Sequence, residues 1–135
     1  MLWVTFTYQS LDPFHAGLAA YGLPSDGSAD YLDPDGDGLN NSQECLAGTN
    51  PTNASSVFRI TGAQALPGGQ FVLSWLSVSN RLYDVMRGTD LAAGAGAFVP
   101  VPGATNLAGT PPQNTYTDSV RPASTGAFYR LTVHQ

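Results

Sequence analysis

Six carboxylates, Asp26, Asp30, Asp33, Asp35, Asp37 and Glu44, fall within residues 26–44 of a 135-residue chain that has only ten acids in all. Lysine is absent, and the five arginines, Arg59, Arg81, Arg87, Arg121 and Arg130, all follow residue 58. Two like charges about 4 Å apart repel by roughly 1 kcal/mol in water and by several times that near a protein surface. A chain cannot close tightly around so many acids without a cation among them, and no lysine or arginine stands nearby in sequence to serve. A divalent metal ion is the simplest counter-charge.

The spacing narrows the choice of ion. Residues 33–44 read Asp33-Pro34-Asp35-Gly36-Asp37-Gly38-Leu39-Asn40-Asn41-Ser42-Gln43-Glu44. They match every specified position of the EF-hand loop D-x-[DN]-x-[DN]-G-x5-E. Hard oxygen donors at alternate positions let one turn of chain wrap a calcium ion. Asp33, Asp35 and Asp37 would offer side-chain oxygens, and Leu39 its backbone carbonyl. Asn41 would act directly or through a water, and Glu44 would close the site with both oxygens. Gly38 permits the sharp turn at positive φ. A cage of this size suits seven ligands better than the six of magnesium. Asp26 and Asp30, just upstream, are candidates for a second ion or for a further ligand to the first; the alternative is a local turn or cap.

The residues before the loop, Asp26-Gly27-Ser28-Ala29-Asp30, are not helical in character, so the segment departs from a helix-loop-helix pair. The string Asp33 to Pro51 resembles the calcium repeats of thrombospondin type 3 and related bacterial secreted proteins. That resemblance implies a short helix after the loop, leading into a Gly-Thr-Asp-Pro turn. Here the turn reads Gly48-Thr49-Asn50-Pro51, and Asn50 is a weaker ligand than the aspartate it replaces. The wider stretch, from Tyr21-Gly22-Leu23 to Ile60, resembles C-terminal modules of large secreted bacterial proteins. This implies a secreted or cell-surface location and an accessory role beside another domain.

Outside the loop the chain reads as mainly β. Fifteen glycines and ten prolines favour many short elements with turns between them. Leu2–Tyr8 alternates, setting Trp3, Thr5 and Thr7 against Val4, Phe6 and Tyr8. Asp12-Pro13 looks like a helix start, with Phe14, Leu18 and Tyr21 on one face and Gly22 and Pro24 as the stop. A short helix is expected over Asn41–Ala47, capped by Gly48. From residue 57 onward, strands are expected at Val57–Thr61, Gln70–Leu76, Arg81–Arg87, Ala97–Val101, Thr115–Asp118 and Phe128–Val133. Glycine, proline and asparagine separate them. Six short strands at this spacing point to a small β-sandwich. Trp75, Tyr83-Asp84-Val85 and Phe128-Tyr129-Arg130-Leu131 resemble a fibronectin type III-like domain over residues 57–133. The chain stops where a seventh strand of that pattern should begin, so we expect Leu2–Tyr8 to fold back onto the sheet. The expected organisation is an N-terminal part, 1–55, with strand, short helix and calcium loop, and a β-sandwich domain, 56–135.

Several function classes fall away. A net charge of -5 leaves no basic stripe for nucleic acid. Residues 1–10 are apolar but lack a basic flank and sufficient length, so we read neither signal peptide nor membrane span there. One cysteine, Cys45, precludes an intrachain disulfide and reads as a small buried residue. The sequence contains no G-x-S-x-G, H-E-x-x-H or P-loop signature. Of its two histidines, His15 reads as a partly exposed helix residue and His134 as a mobile terminal one. Two readings remain. In the first, the chain is a calcium-binding accessory module that takes a carbohydrate or other small-molecule ligand on exposed aromatics such as Tyr83, Phe98 or Tyr116. In the second, it is a calcium-dependent hydrolase of small esters or lactones, with Asp26 or Asp30 activating water beside the ion.

Overall fold

A computed structural model describes residues 12–119 and 126–135. The chain divides after Phe58 into two compact units. The expected strand Leu2–Tyr8 lies outside the described residues.

The first unit is built on two short helices, α1 (Asp12–Ala20) and α2 (Asn41–Ala47), which pack on one another. Gly22, at φ 73°, turns the chain after α1. Helix α2 is short enough to need its ends held, and both ends are. Asn40 accepts a hydrogen bond from the Gln43 amide, and the Gln43 side chain accepts one from the Asn40 amide. This capping box satisfies two of the donors that a helix start leaves unpaired. At the other end Gly48 adopts the left-handed conformation (φ 77°) and donates back to Glu44 and Cys45. Leu18, Ala29 and Ala47 form the apolar core of the unit, with Asn41 and Glu44 buried beside them.

Among the described residues, the second unit holds seven strands in two antiparallel sheets. They are β1 (Ile60–Ala65), β2 (Phe71–Leu76), β3 (Leu82–Gly88), β4 (Val99–Pro100), β5 (Leu107–Ala108), β6 (Gln113–Asp118) and β7 (Phe128–His134). One sheet has the order β1-β2-β6; in the other, β3 pairs with β7 on one side and with β4 and β5 on the other. The arrangement is that of a small β-sandwich. Alternation along the strands sends Leu73 and Trp75 of β2 inward with Tyr83 and Val85 of β3 and Leu131 and Val133 of β7. The Trp75 and Tyr83 rings meet at 5.8 Å. At one end, Asp118 of β6 accepts hydrogen bonds from Arg87 of β3 (2.6 Å) and from the Tyr129 hydroxyl of β7 (2.8 Å), joining the two sheets. Tyr129 also stacks on Phe71 of the opposite sheet at 4.8 Å. Burial, with the neighbouring Asp118 carboxylate, pushes the Tyr129 hydroxyl up to about 12, so it stays a donor across the physiological range.

The strand positions agree with the sequence pattern in the middle of each element and depart at the ends. The first strand begins at Ile60 rather than Val57, because its pairing starts where Ile60 meets Trp75. The two-residue β5 was not expected; it exists through its pairing with Leu82 and Tyr83 and is too short to show alternation. His134 is the last residue of β7, 3.3 Å from Asp84, not a loose terminal residue. Gly109 follows β5, and a Cβ there would overlap the carbonyl of Val78. Gly109→Ala should therefore cost about 1–3 kcal/mol in urea unfolding. Gly96→Ala, where the space is open, should leave the midpoint within about 0.5 kcal/mol.

Candidate metal centre

The loop that links the two helices in sequence wraps its own acids inward. Asp33 accepts from the amides of Gly36 (2.8 Å) and Gly38 (3.0 Å). Asp35 accepts from the Asp37 amide at 3.3 Å, and Asp37 from the Leu39 amide at 2.8 Å. Gly36 and Gly38 sit at φ 76° and 96°, where a side chain would be strained. The result is that Asp33, Asp35 and Asp37 each bring a carboxylate oxygen to within 4.8 Å of the others.

Glu44, in the first turn of α2, is fully buried and feels the charge of Asp35, Asp37 and Asp33, but it is not one of the three acids that form the cluster. Helix α2 is tied down on the loop side by three hydrogen bonds to the turn residues before the loop. The Asn41 amide donates to Leu32, the Ser42 amide to Asp30, and the Asn41 side-chain NH₂ to Ala29 at 2.8 Å. These bonds fix where the Glu44 carboxylate points.

Five buried oxygens in this unit have no hydrogen-bond partner: Asp35 Oδ2, Asp37 Oδ2, Asn41 Oδ1 and both Glu44 Oε atoms. A buried acceptor without a partner costs about 1–3 kcal/mol, and more if it is charged. Proteins of ordinary stability do not carry five such atoms in one loop uncompensated. The donor set is hard oxygen throughout, four of the five atoms being carboxylate, and that chemistry fits calcium. Burial, then repulsion from Asp35 and Asp37, pushes the Glu44 carboxyl up to about 7. Asp37 is also raised, chiefly by burial and then by its acidic neighbours.

The remaining acids before the loop are engaged elsewhere. Asp26 accepts from the amide and hydroxyl of Ser28, which lower its pKa. Asp30 faces His15 of α1 at 3.1 Å, and both side chains are largely buried. Neither belongs to the carboxylate cluster found among the described residues, Asp33, Asp35 and Asp37. Asn50 accepts from the amide and hydroxyl of Thr52, closing its own turn. Cys45 is half-buried and lines a cleft of about 170 Å³ between α1 and α2 with Phe14, Leu18 and Tyr21. The capping pair Asn40 and Gln43 went unnoticed in the sequence, although polar residues three apart ahead of a helix are its signature. Among the aromatics expected to bind ligands, Tyr83 is fully buried, and its hydroxyl accepts from the Val78 amide. Phe98 lies under Arg130 at 4.8 Å. Tyr116 donates to the Pro102 carbonyl.

A family model for the bacterial TSP3 repeat matches residues 33–54. The match spans the acid loop, α2 and the turn that follows it. No curated protein and no solved structure matches the chain. The repeat and the aspartate cluster fall on the same segment, and together they suggest calcium binding.

The shift at Glu44 sets a pH dependence. With the folded pKa above the unfolded value, the metal-free fold binds a proton that the unfolded chain releases. Without calcium, stability should fall as pH rises from about 4.5 to 7. With calcium in excess the trend should reverse, because the ion needs Glu44 deprotonated. Thermal melts across that window, with chelator and with calcium, test this; Glu44→Gln should flatten the metal-free slope.

Proposed function

We propose that this chain is a calcium-binding accessory module of a secreted or cell-surface protein, in which the ion is structural. The observation that carries the reading is the set of unpartnered buried oxygens on Asp35, Asp37, Asn41 and Glu44. Asp33, Asp35, Asp37, the Leu39 carbonyl, Asn41 and Glu44 would hold the ion. When bound, calcium supplies a compact double positive charge that cancels the repulsion among the four acids.

The chain's own residues do the rest. The amides of Gly36, Asp37, Gly38 and Leu39 hold one face of each aspartate, so that little side-chain freedom remains to be lost on binding. The bonds from Asn41 and Ser42 to residues 29–32 set the helix that carries Glu44. Six residues of one loop would supply seven oxygens, enough to fill a calcium shell, which favours a structural ion over a catalytic one. The reading gives no catalytic role to Asp26 or Asp30, whose carboxylates Ser28 and His15 engage. The β-unit, fibronectin type III-like in its Trp75, Tyr83 and Tyr129 pattern, would serve as the body that presents a carbohydrate or other small-molecule surface. The half-exposed Phe98 and Tyr116 belong to that body.

Calcium that binds only the folded loop stabilises it by mass action. At a concentration of about 100 times Kd the gain is roughly 2.7 kcal/mol, and modules outside the cell bind calcium with Kd values of roughly 10⁻⁴–10⁻³ M. Unfolding in 10 mM calcium should show most of that gain over chelator. Glu44→Gln should lose nearly all of it, and a full calcium response in that variant would refute the ligand assignment. Turnover of small esters or lactones that stops with chelator would instead establish a catalytic ion.

A further inference from the structure

Residues of the β3–β7 pair alternate between core and outer face. Tyr83, Val85, Leu131 and Val133 fill the core. The outer face therefore sets Leu82, Asp84, Met86 and Gly88 of β3 against His134, Thr132, Arg130 and Phe128 of β7. Gly88 is buried, and a Cβ there would lie 3.3 Å from the Phe98 ring and 3.0 Å from the Ala97 carbonyl. The ring thus rests where another residue would place its side chain. Arg130, opposite Met86, lays its guanidinium over the same ring at 4.8 Å. Phe98 therefore bridges the β3 backbone and Arg130, and holds the guanidinium on the outer face.

The charge held there has no counter-ion. Arg87 pairs with Asp118, and Arg81 donates to the Asn80 carbonyl. Among the described residues, no acid pairs with Arg130, and its Nε is buried without an acceptor. A half-buried guanidinium in this state has given up part of its hydration and gained only the ring in return. The one acid on the outer face of the two strands, Asp84, stands diagonal to Arg130 in register. Its carboxylate is taken by the Asn106 amide at 2.7 Å and faces His134 at 3.3 Å. The planar fork of arginine matches a carboxylate with two parallel hydrogen bonds. A fork already held by Phe98 loses less freedom when it binds. Phe128 lies on the same face, about 7 Å along the strand, and is 39% exposed. Thr132 lies the same distance the other way and brings a hydroxyl.

We propose that the row Phe128, Arg130 and Thr132 is a binding site for an acidic sugar of the uronate class. The sugar carboxylate pairs with Arg130, the apolar side of its ring rests on Phe128, and a ring hydroxyl meets Thr132. An aromatic surface with a few placed polar groups is the usual make-up of a small-molecule site. This inference rests on the reading of the β-unit as a body that presents a sugar, and it names the class of sugar. The charge pattern favours isolated carboxylates over a dense polyanion. Arg130 is a lone cation in a chain of net charge -5, and Asp84 beside it would repel a second anion. Phe98 is a positioning residue, acting through Arg130.

NMR titration of the full chain in excess calcium, with methyl β-glucuronide as the probe, tests the site. The amides of Phe128, Arg130 and Thr132 should shift on one binding curve, together with the Arg130 Nε–H. The methyl ester of the same sugar, and acetate, should each bind roughly tenfold more weakly or worse. Arg130→Gln should lose binding of the glucuronide to the same extent, and Arg130→Lys should recover only part of it. Phe98→Leu should weaken binding and speed exchange of the Arg130 Nε–H, which loss of packing elsewhere would not do. If Arg130→Gln does not fold, the comparison of acid with ester on the unaltered chain decides. Equal binding of acid and ester would overturn the inference, as would full binding by a folded Arg130→Gln. Acetate or N-acetylglutamate binding as tightly as the glucuronide would overturn the assignment to a sugar. Binding of methyl β-glucoside alone would overturn the inference and leave a sugar-presenting body; a panel in which no sugar binds would overturn both.

Discussion

Three carboxylates, Asp33, Asp35 and Asp37, are gathered at one point by the loop, and a fourth, Glu44, is buried on α2 within reach of their charge. Burial, and after it mutual repulsion, raises the pKa values of Asp37 and Glu44, and much of the local structure holds these acids in place. The loop amides grip the aspartates, the glycines at positions 36 and 38 allow the turn, and α2 is capped at both ends although it has only seven residues. A helix that short is not stable alone in water. It is kept by its caps and by the strap of residues 29–32, and the product of that effort is a buried Glu44. Arrangements that store electrostatic cost in this way are expected where a ligand returns it, and a divalent cation returns it directly.

The β-unit rests on a different kind of constraint. Its interior is ordinary aromatic and aliphatic packing around Trp75 and Tyr83, and its one buried charge pair has full compensation. Asp118 receives both Arg87 and the Tyr129 hydroxyl, so that its desolvation is offset by hydrogen bonds from two strands of the other sheet. The contrast with the loop is informative. Asp118 finds its partners within the chain, whereas Asp35 Oδ2, Asp37 Oδ2 and both Glu44 carboxylate oxygens find none.

The sequence showed the loop clearly because its chemistry is local. Twelve consecutive residues hold the donors, and their spacing alone is diagnostic. The helix after it was equally plain, from Asn41 to the glycine that ends it. What the sequence hid was long-range. Nothing in the spacing of Asp118, Arg87 and Tyr129 shows that they meet, and β5 comes into being only because β3 lies beside it. The start of β1 was set by its partner Trp75 rather than by the apolar pair Val57-Phe58. The roles of Asp26 and Asp30 also depended on partners. Ser28 lies two residues after Asp26 and its turn could have been read, but His15 reaches Asp30 from α1, fifteen residues earlier. Tyr83 fits either face of a strand by its alternation, so the sequence allows both a ligand-binding aromatic and a core residue; the opposing sheet makes it core.

The central claim is that calcium sits among Asp33, Asp35, Asp37 and Glu44. A crystal structure grown in calcium, with anomalous scattering to place the ion, tests it most directly. The account predicts one ion at about 2.3–2.6 Å from oxygens of all four acids and from the Leu39 carbonyl, with both Glu44 oxygens in the shell. An ion found elsewhere, or a calcium-soaked crystal in which Glu44 stays outside the shell, would contradict it.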